Sequence, residues 1–223
     1  MAMDKQPLDA QRKHWEATFS DEPEKFGAEP SYPAQKAADV FRNEGKRTIL
    51  ELGGGQGRDT LFFAQSGFQV HVVDYSELGL AAIARKAERA GLSRFVKTLA
   101  HDVREALPFA DESFDACYSH MLYCMALTEA ELGRLSGEVG RILKPNGLNV
   151  YTVRNTSDPD YGTGIHRGED MYEVDGYVVH FFSREKIKRL TGGCEVVGIE
   201  GFQEGGLPKE LFLVTLRKPS SAG

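Results

Sequence analysis

The sequence predicts an α/β fold with a doubly wound sheet that is mainly parallel and ends in an antiparallel edge pair. Between residues 48 and 153, short β-prone apolar runs alternate with longer stretches whose apolar residues recur every three or four positions. A glycine-rich segment directly follows the first run, and two strand-like runs at 195–199 and 211–216 close the chain. This alternation places helices on both faces of one sheet, which is a Rossmann-like arrangement.

The elements are predicted from these patterns and from the residues that end them. Strands are expected at 48–52, 69–73, 95–99, 114–118 and 148–153. Helices are expected at 33–44, from the glycine segment to Ser66, at 77–90, 129–143 and 184–190. Gly91 and the Lys-Pro-Asn-Gly segment at 144–147 are the expected helix stops. Residues 154–182 show no regular pattern, and an irregular connection of that length is often a lid or a binding loop.

Size and charge limit the class of protein. The chain has 223 residues, and 27 basic against 33 acidic residues give a net charge of −6. An acidic chain is a poor candidate for binding phosphate backbones, and no apolar run is long enough to cross a membrane. The first thirty residues lack the apolar core of a secretory signal. We therefore expect a cytoplasmic monomer or homodimer that binds neither nucleic acid nor membrane.

The domain organisation follows from the same reading. We expect an N-terminal cap segment at 1–30, one domain at 31–217 with a lid-like insertion at 154–182, and a tail at 218–223. The three cysteines have no C-x-x-C spacing and the six histidines show no close ligand pair, so no metal site is expected. Reduced, buried thiols are the ordinary interpretation of Cys117, Cys124 and Cys194.

The glycine segment after the first strand is the strongest motif. Its glycines permit a sharp turn and a close approach of a ligand to the main chain, in front of the free N–H groups of the next helix. A dinucleotide fingerprint requires a third glycine where Arg58 or Thr60 stands, and a phosphate-binding P-loop requires a Gly-Lys-Ser/Thr that is absent. A nicotinamide oxidoreductase and a P-loop enzyme are thereby disfavoured.

The segment Glu51-Leu52-Gly53-Gly54-Gly55-Gln56-Gly57 resembles the first motif of the class I S-adenosylmethionine-dependent methyltransferases, E/D-x-G-x-G-x-G. The family's later motifs are resembled in order by Asp74, by His101-Asp102-Val103, by Phe114–Ser119 and by Leu143–Leu148, in which Asn146 replaces a glycine. The resemblance extends over residues 31–217. The N-terminal segment and residues 155–182 further resemble the small-molecule, type-11/12 and tellurite-resistance-like branch.

The resemblance implies that S-adenosylmethionine binds at this loop and leaves as S-adenosylhomocysteine. The loop glycines leave space for its methionyl portion, while Glu51 receives the ammonium, Asp74 the ribose hydroxyls and Asp102 the adenine amine. The implied cofactor residues are Glu51, Gly53, Gly55, Gly57, Asp74, Tyr75, Asp102, Val103 and Ser119. A helix cap at Asp74 and a simple loop acid at Asp102 stay open as alternatives.

The acceptor is expected beyond the fourth strand, near His120. An imidazole there suits a general base, but it equally suits a residue that packs on the cofactor or orients the substrate. Methyl transfer from a sulfonium often needs only positioning and exclusion of water. Predicted pocket residues are Trp15, Phe19, Tyr32, Tyr123, Arg154, Tyr172 and His180, although ordinary packing of a cap and an insertion hairpin explains such side chains as well.

The sequence therefore predicts methyl transfer to a small-molecule acceptor. A protein or RNA methyltransferase is an alternative, which the missing N/D-P-P-Y/F motif at Ser119-His120-Met121-Leu122 and the acidic charge disfavour. A non-catalytic module that binds S-adenosylmethionine is another alternative, because an intact binding motif does not require turnover. The acceptor atom stays open.

Overall fold

The computed structural model describes residues 6–205 and 209–220, which form seven helices and ten strands. The helices are α1 (Gln6–Asp9), α2 (Gln11–Asp21), α3 (Tyr32–Asn43), α4 (Arg58–Gln65), α5 (Glu77–Arg89), α6 (Glu129–Ile142) and α7 (Arg184–Arg189). The strands are β1 (Thr48–Leu52), β2 (Gln69–Asp74), β3 (Val96–Ala100), β4 (Phe114–Ser119), β5 (Leu143–Arg154), β6 (Ile165–Gly168), β7 (Met171–Val174), β8 (Tyr177–His180), β9 (Glu195–Glu204) and β10 (Lys209–Arg217).

Seven of these strands form one sheet in the order β3-β2-β1-β4-β5-β10-β9. The first five are parallel, while β10 pairs antiparallel with both β5 and β9. The predicted doubly wound α/β fold with an antiparallel pair at the C-terminal end is confirmed. The strand order reverses between β1 and β4, so the crevice beyond their carboxyl ends is the expected ligand position in such a sheet.

The core lies on both faces of this sheet. One layer packs α3, α4 and α5 against the sheet, with Phe41, Phe63 and Ile83 fully buried. The other packs α6 and α7, with Leu132 and Ile187 fully buried. Strands covered on both faces read as continuous apolar runs, which is why β1 and β2 were recognisable in the sequence.

Helix starts follow local sequence signals. Ser31, Ser76 and Ser183 each accept a hydrogen bond from a backbone N–H in the first turn of α3, α5 and α7. Thr128 and Glu131 form a reciprocal capping box at the start of α6. The starts of α3, α5, α6 and α7 are thus fixed by side chains within their first turns.

Two predictions about the second half of the chain need correction. The fifth strand begins at Leu143 instead of after the Lys-Pro-Asn-Gly segment, and Asn146 takes a left-handed conformation there, with φ of 60°. Residues 154–182 are not irregular throughout, because they contain the separate antiparallel sheet β6-β7-β8. Its tight turns use left-handed residues, among them Asp175 and Gly176, and an Asp-Gly pair is a hairpin signal that the prediction overlooked.

Some predicted segments lie partly outside the described residues. These are residues 1–5 of the cap segment, Gly206 of the glycine turn at 205–206, and residues 221–223 of the tail. Within the described ranges, no helix combines the length and the apolar composition that a membrane span requires.

Candidate functional site

The glycine loop connects β1 to α4 at the carboxyl edge of the sheet. Gly53, Gly55 and Gly57 all have positive φ, of 76°, 53° and 89°, a conformation that other residues adopt only at a cost. The loop is tied to the sheet by a hydrogen bond from Gly53 N–H to the carbonyl of Val73, 2.8 Å long. Gly57 N-caps α4, so the backbone N–H groups of the first helical turn follow the loop directly.

Two buried carboxyl groups flank this loop. Glu51 accepts a 2.6 Å hydrogen bond from the Thr60 hydroxyl, and burial, reinforced by nearby Asp59, raises its pKa to about 8. Asp74, at the end of β2, accepts hydrogen bonds from the backbone N–H groups of Gly55 and Ser76, each 2.9 Å long. Burial raises the Asp74 pKa to about 6 in spite of these bonds. A cationic or hydrogen-bond-donating neighbour would therefore stabilise the ionised form of both carboxyl groups.

Gly79 in α5 is a site residue that the sequence analysis missed. A Cβ atom built on Gly79 would lie 2.4 Å from the carbonyl oxygen of Gly55, a distance that no side chain tolerates. Only glycine lets the start of α5 pack against the loop backbone. The available signal was a glycine inside an otherwise regular helical pattern, which usually has a packing or functional reason.

The end of β3 places Asp102 in an ion pair. Arg104 donates to both oxygens of Asp102 and also contacts Asp9 of α1. Burial alone would raise the Asp102 pKa, but the hydrogen bonds from Arg104 outweigh it and hold that pKa below its usual value. Val103 is buried in the core, and Tyr75 is half-buried, with a pKa raised by burial and by Asp74.

The segment after β4 lies against the glycine loop. Ser119 donates its hydroxyl hydrogen to the Leu52 carbonyl at 2.9 Å. The Leu122 side chain packs over Gly53, where a Cβ atom would lie 2.7 Å from Leu122 Cδ1. Met121 between them has a φ of 68°, an unfavourable conformation for a non-glycine residue. Such local strain persists where the surrounding structure holds it in place, and it often marks functional segments.

His120 has contacts on both ring nitrogens. Nδ1 lies 2.9 Å from the Thr152 hydroxyl and Nε2 lies 3.1 Å from a Glu204 carboxylate oxygen. Thr152 also accepts the N–H of Met121 at 2.9 Å. Burial raises the pKa of Glu204, but the hydrogen bond with His120 and the charge of Arg58 bring it below its usual value. Thr152 and Glu204 were not identified from the sequence, where nothing links them to His120.

Aromatic side chains of the N-terminal segment cover the loop. Trp15 and Phe19 pack on each other and on Phe26, and Trp15 also packs on Tyr177 of β8. Phe19 Cζ lies 3.6 Å from the position of a Cβ atom on Gly55, so this cluster lies directly on the glycine loop. Tyr32 is not part of it: its ring is half exposed and packs 5.6 Å from that of Phe202.

The predicted pocket residues of the insertion are largely engaged with one another. Arg154 forms a buried ion pair with Asp158 and a second with Asp160. His180 is fully buried, with Nδ1 2.7 Å from the Leu127 carbonyl and Nε2 2.8 Å from Lys186 Nζ. Burial and the Lys186 charge lower the His180 pKa to about 4, so its ring is neutral at pH 7. These contacts place Arg154 and His180 inside the insertion rather than on an open wall.

The two remaining predicted pocket tyrosines differ in position. Tyr123 is buried and stacks on Tyr151, with ring centroids 4.3 Å apart, and its hydroxyl contacts Asn149. Tyr172 is only partly buried and packs edge-on against Tyr161 in the insertion sheet. Of these two, Tyr172 retains accessible surface.

Several buried polar atoms of the described residues have no hydrogen-bond partner: His14 Nε2, Glu16 Oε2, Gln56 Oε1, His101 Nε2 and Asn149 Oδ1. Two of them flank Asp74. His101 donates its backbone N–H to the Asp74 carbonyl, and the charge of Glu16 acts on the Asp74 carboxyl. Buried polar atoms without partners are costly, and a polar ligand at the strand ends would satisfy them.

Comparison with known proteins agrees with this geometry. Residues 49–147 match the model of a family described as a methyltransferase domain. An uncharacterized methyltransferase of Mycolicibacterium vanbaalenii is 37% identical over 109 residues, 48% of this chain and 39% of that protein. Eight curated relatives are matched over 25% to 52% of their own length.

Two solved structures show the breadth of this fold. The 1,6-didemethyltoxoflavin-N1-methyltransferase of Burkholderia thailandensis, solved with 1,6-didemethyltoxoflavin and S-adenosylhomocysteine bound, superposes with a TM-score of 0.76 at 19% identity and covers 99% of this chain and 92% of its own. The [4+2]-cyclase SpnF superposes with a TM-score of 0.72 at 17% identity, covering 96% and 97%. The fold is therefore common to proteins with different reactions.

Proposed function

We propose that this chain is a class I S-adenosylmethionine-dependent methyltransferase, and that it transfers a methyl group from S-adenosylmethionine to a small-molecule acceptor. The single observation that carries the proposal is the glycine loop between two buried carboxyl groups at the reversal point of the sheet. Glu51 lies at one side of this loop, and Asp74, held by Gly55 N–H, lies at the other.

The residues present fit this cofactor. Asp74 has acceptor capacity left on both oxygens beside its two backbone partners, which suits a ribose diol. Glu51 is positioned for an ammonium group, whose charge would favour ionisation of this carboxyl. Glu16 Oε2 and His101 Nε2 are buried and unpartnered among the described residues, and they offer further polar contacts near Asp74. Arg104 competes with the adenine amine for Asp102, so we assign Asp102 a weaker part in binding.

Bound S-adenosylmethionine supplies a methyl group that is electrophilic because its sulfur is positively charged. The chain's own residues would hold it and exclude water. The aromatic cluster of Trp15, Phe19, Phe26 and Tyr177 lies on the loop and limits access of solvent. Exclusion of water strengthens electrostatic interactions in the site and prevents side reactions.

We propose that His120 holds the segment after β4 in place beside the acceptor instead of removing the acceptor's proton. Its two ring nitrogens already contact Thr152 and Glu204, which leaves neither nitrogen free for an acceptor in this arrangement. His120→Ala should therefore lower the rate at saturating substrates by less than about 100-fold and leave cofactor affinity nearly unchanged. A general base must be neutral, so the activity of the wild type would then decrease at low pH as His120 becomes protonated. A loss of rate above about 10³-fold in His120→Ala, together with disappearance of this decrease, would show that His120 is the general base.

The small-molecule acceptor is supported by two observations. The Burkholderia thailandensis neighbour holds 1,6-didemethyltoxoflavin, and the net charge of −6 disfavours binding to nucleic acid. Partly exposed Tyr172 and the His120 segment are the side chains we place nearest to the acceptor.

The test is methyl transfer from S-adenosylmethionine carrying a radiolabelled methyl group. A low-molecular-weight fraction of cell extract, an RNA fraction and a protein fraction are offered separately, with Asp74→Ala as the control. Label in the small-molecule fraction alone supports the proposal, whereas label in RNA or protein identifies the other acceptor class. Tight S-adenosylhomocysteine binding in calorimetry without transfer to any fraction would indicate a binding module. Binding of NAD without S-adenosylhomocysteine would contradict the cofactor assignment.

A further inference from the structure

A groove of about 220 Å³ lies outside the glycine loop, between α2 and α5. Phe19 and Pro23 line one side, Leu78, Ala82 and two arginines of α5 line the other, and Gln56 lies at its wall. Neither Glu51 nor Asp74 lines this groove, although Phe19 contacts both the groove and the glycine loop. The groove is therefore a separate feature of the molecule.

One face of α5 forms the groove. Leu78, Ala82, Arg85 and Arg89 are spaced by four, three and four residues, so they share one side of the helix. This is not the core side, because Leu80, Ile83 and Ala87 are the buried residues of α5. The groove face is apolar at its N-terminal end, where Leu78 is 49% exposed, and cationic at its C-terminal end. An occupant would accordingly have an apolar part and an anionic part.

The two arginines are not neutralised within the described residues. Neither Arg85 nor Arg89 makes a hydrogen bond or an ion pair there, and like charges four residues apart on a helix repel each other. Lys86 beside them differs, because its ammonium contacts a Glu24 carboxylate oxygen at 3.1 Å and the Gln56 carbonyl at 3.2 Å. The groove therefore holds two unpaired guanidinium groups in a chain whose net charge is −6.

Gln56 adds an independent observation. Its residue is 5% exposed, and its amide Nε2 donates to the Glu22 carbonyl at 2.8 Å. Its Oε1 is buried and has no partner among the described residues. A buried acceptor without a donor is unfavourable, and because Gln56 lines the groove, a ligand whose hydroxyl or amino group reached Oε1 would satisfy this atom.

We propose that this groove binds a small phosphomonoester with an apolar or aromatic body. Two guanidinium groups match a phosphate that carries a charge near −2, and their planar forks suit its oxygens. The apolar body would lie on Phe19, Leu78 and Ala82, and a hydroxyl or amino group on it would donate to Gln56 Oε1. This site goes beyond the methyl-transfer proposal and does not depend on it.

Calorimetry with phenyl phosphate tests the site. Phenyl phosphate should bind the full chain at least about tenfold more tightly than inorganic phosphate or phenol, since each supplies only half of the contacts. The Arg85→Gln/Arg89→Gln double variant should weaken binding about tenfold or more, because charge-assisted hydrogen bonds to phosphate are lost. The matched control is Arg94→Gln, an exposed arginine on the ring of Phe95 outside the groove.

Saturating S-adenosylhomocysteine should not displace phenyl phosphate, and 4-aminophenyl phosphate should bind more tightly than phenyl phosphate. Circular dichroism of the double variant confirms its folding, which the exposed positions of both arginines favour. The proposal is overturned if no binding is detected, if S-adenosylhomocysteine displaces phenyl phosphate, or if the double variant binds as well as the Arg94→Gln control. None of these results depends on whether methyl transfer is observed.

Discussion

The glycine loop and the insertion at 154–182 both present polar side chains at the carboxyl edge of the sheet, but they use them differently. Around the loop, Glu51 and Asp74 are buried with pKa values raised to about 8 and about 6, so their ionised forms lack compensation. In the insertion, Arg154 and Lys186 are each paired with carboxylates that balance their charge.

This difference separates a binding region from a scaffold. Burial of a carboxyl group without a cationic partner lowers the stability of the protein. Such a buried group is typical of a site where a bound ligand compensates its charge. A buried ion pair, in contrast, is costly to break because either partner alone is left as an uncompensated charge. Mutations in the insertion should therefore affect stability most, while those at the loop should affect ligand binding.

The largest expected effect is the loss of the Arg154 ion pair. Asp158→Ala should lower the free energy of unfolding by about 3–5 kcal/mol, because it leaves the guanidinium buried with its outer partner Asp160 alone. Urea unfolding measures this effect. Glu173→Ala is the control, since its pair with Arg167 is partly exposed and should be worth about 0–1 kcal/mol. If Asp158→Ala lowers the free energy of unfolding no more than Glu173→Ala does, the distinction between the two regions is wrong.

Glu51→Gln should raise the free energy of unfolding instead of lowering it. The unfolded carboxyl ionises near its ordinary value of 4.5, whereas the folded one stays protonated up to a pKa of about 8. The unfolded state thus binds fewer protons between these values, and stability falls as the pH rises through this window. At pH 8 the variant should be more stable than the wild type by about 2–4 kcal/mol, since one pKa unit corresponds to about 1.4 kcal/mol.

Chemical unfolding at pH 4.5 and pH 8 checks this prediction. The difference between variant and wild type should shrink to less than about 0.5 kcal/mol at the lower pH, where the folded carboxyl is protonated and the unfolded one is half protonated. Affinity for S-adenosylhomocysteine should fall in the variant, because a neutral amide attracts an ammonium group less strongly. A stability difference that is equal at both pH values would contradict ionisation of Glu51 as its cause.

Asp74→Ala should act mainly on binding. Loss of the charged hydrogen bonds should weaken S-adenosylhomocysteine binding by about 1–3 kcal/mol, or about 5- to 150-fold. Calorimetry measures the affinity. Thermal unfolding measures how much stability the protein loses with the hydrogen bond from Gly55 N–H to Asp74. Asp39→Ala, at an exposed position of α3, serves as the control. Unchanged affinity in Asp74→Ala would place the ligand elsewhere.

The smallest expected effect concerns the joint between cap and insertion. Gln11 donates to the Gly176 carbonyl at 2.9 Å and accepts the Val178 N–H at 3.2 Å, so α2 and the β7–β8 hairpin are held together. Gln11→Ala should cost about 0.5–1.5 kcal/mol. We also predict that residues 10–32 and 154–182 open together without ligand and close over it when it binds.

Limited proteolysis of the Gln11→Ala variant should therefore be faster than that of the wild type in both segments. S-adenosylhomocysteine together with an acceptor should protect both segments. The control is Lys13→Ala, at an exposed position of α2. Acceleration in one segment alone would show that they move separately.

The sequence predicted elements wherever local chemistry decides them. β1 and the second half of β2 are buried and consist mostly of apolar residues, and Gly91 follows α5 where a left-handed residue is needed. The insertion sheet was missed although Asp175-Gly176 is a local turn signal. The partners of His120 had no local signal, because Thr152 and Glu204 lie 32 and 84 residues farther along the chain.

The sequence by itself determined the order along the chain of the helices and strands that build the main sheet, the position of the glycine loop, and the acids Glu51 and Asp74 near the ends of β1 and β2. These features depend on a strand, a turn and a helix that are contiguous in the chain, so a few residues contain their physical cause. Only the tertiary structure decided which polar side chains are neutralised. The charge state and exposure of Arg154, His180 and Asp102 depend on partners that packing brings together, and a side chain's type alone cannot specify its partner.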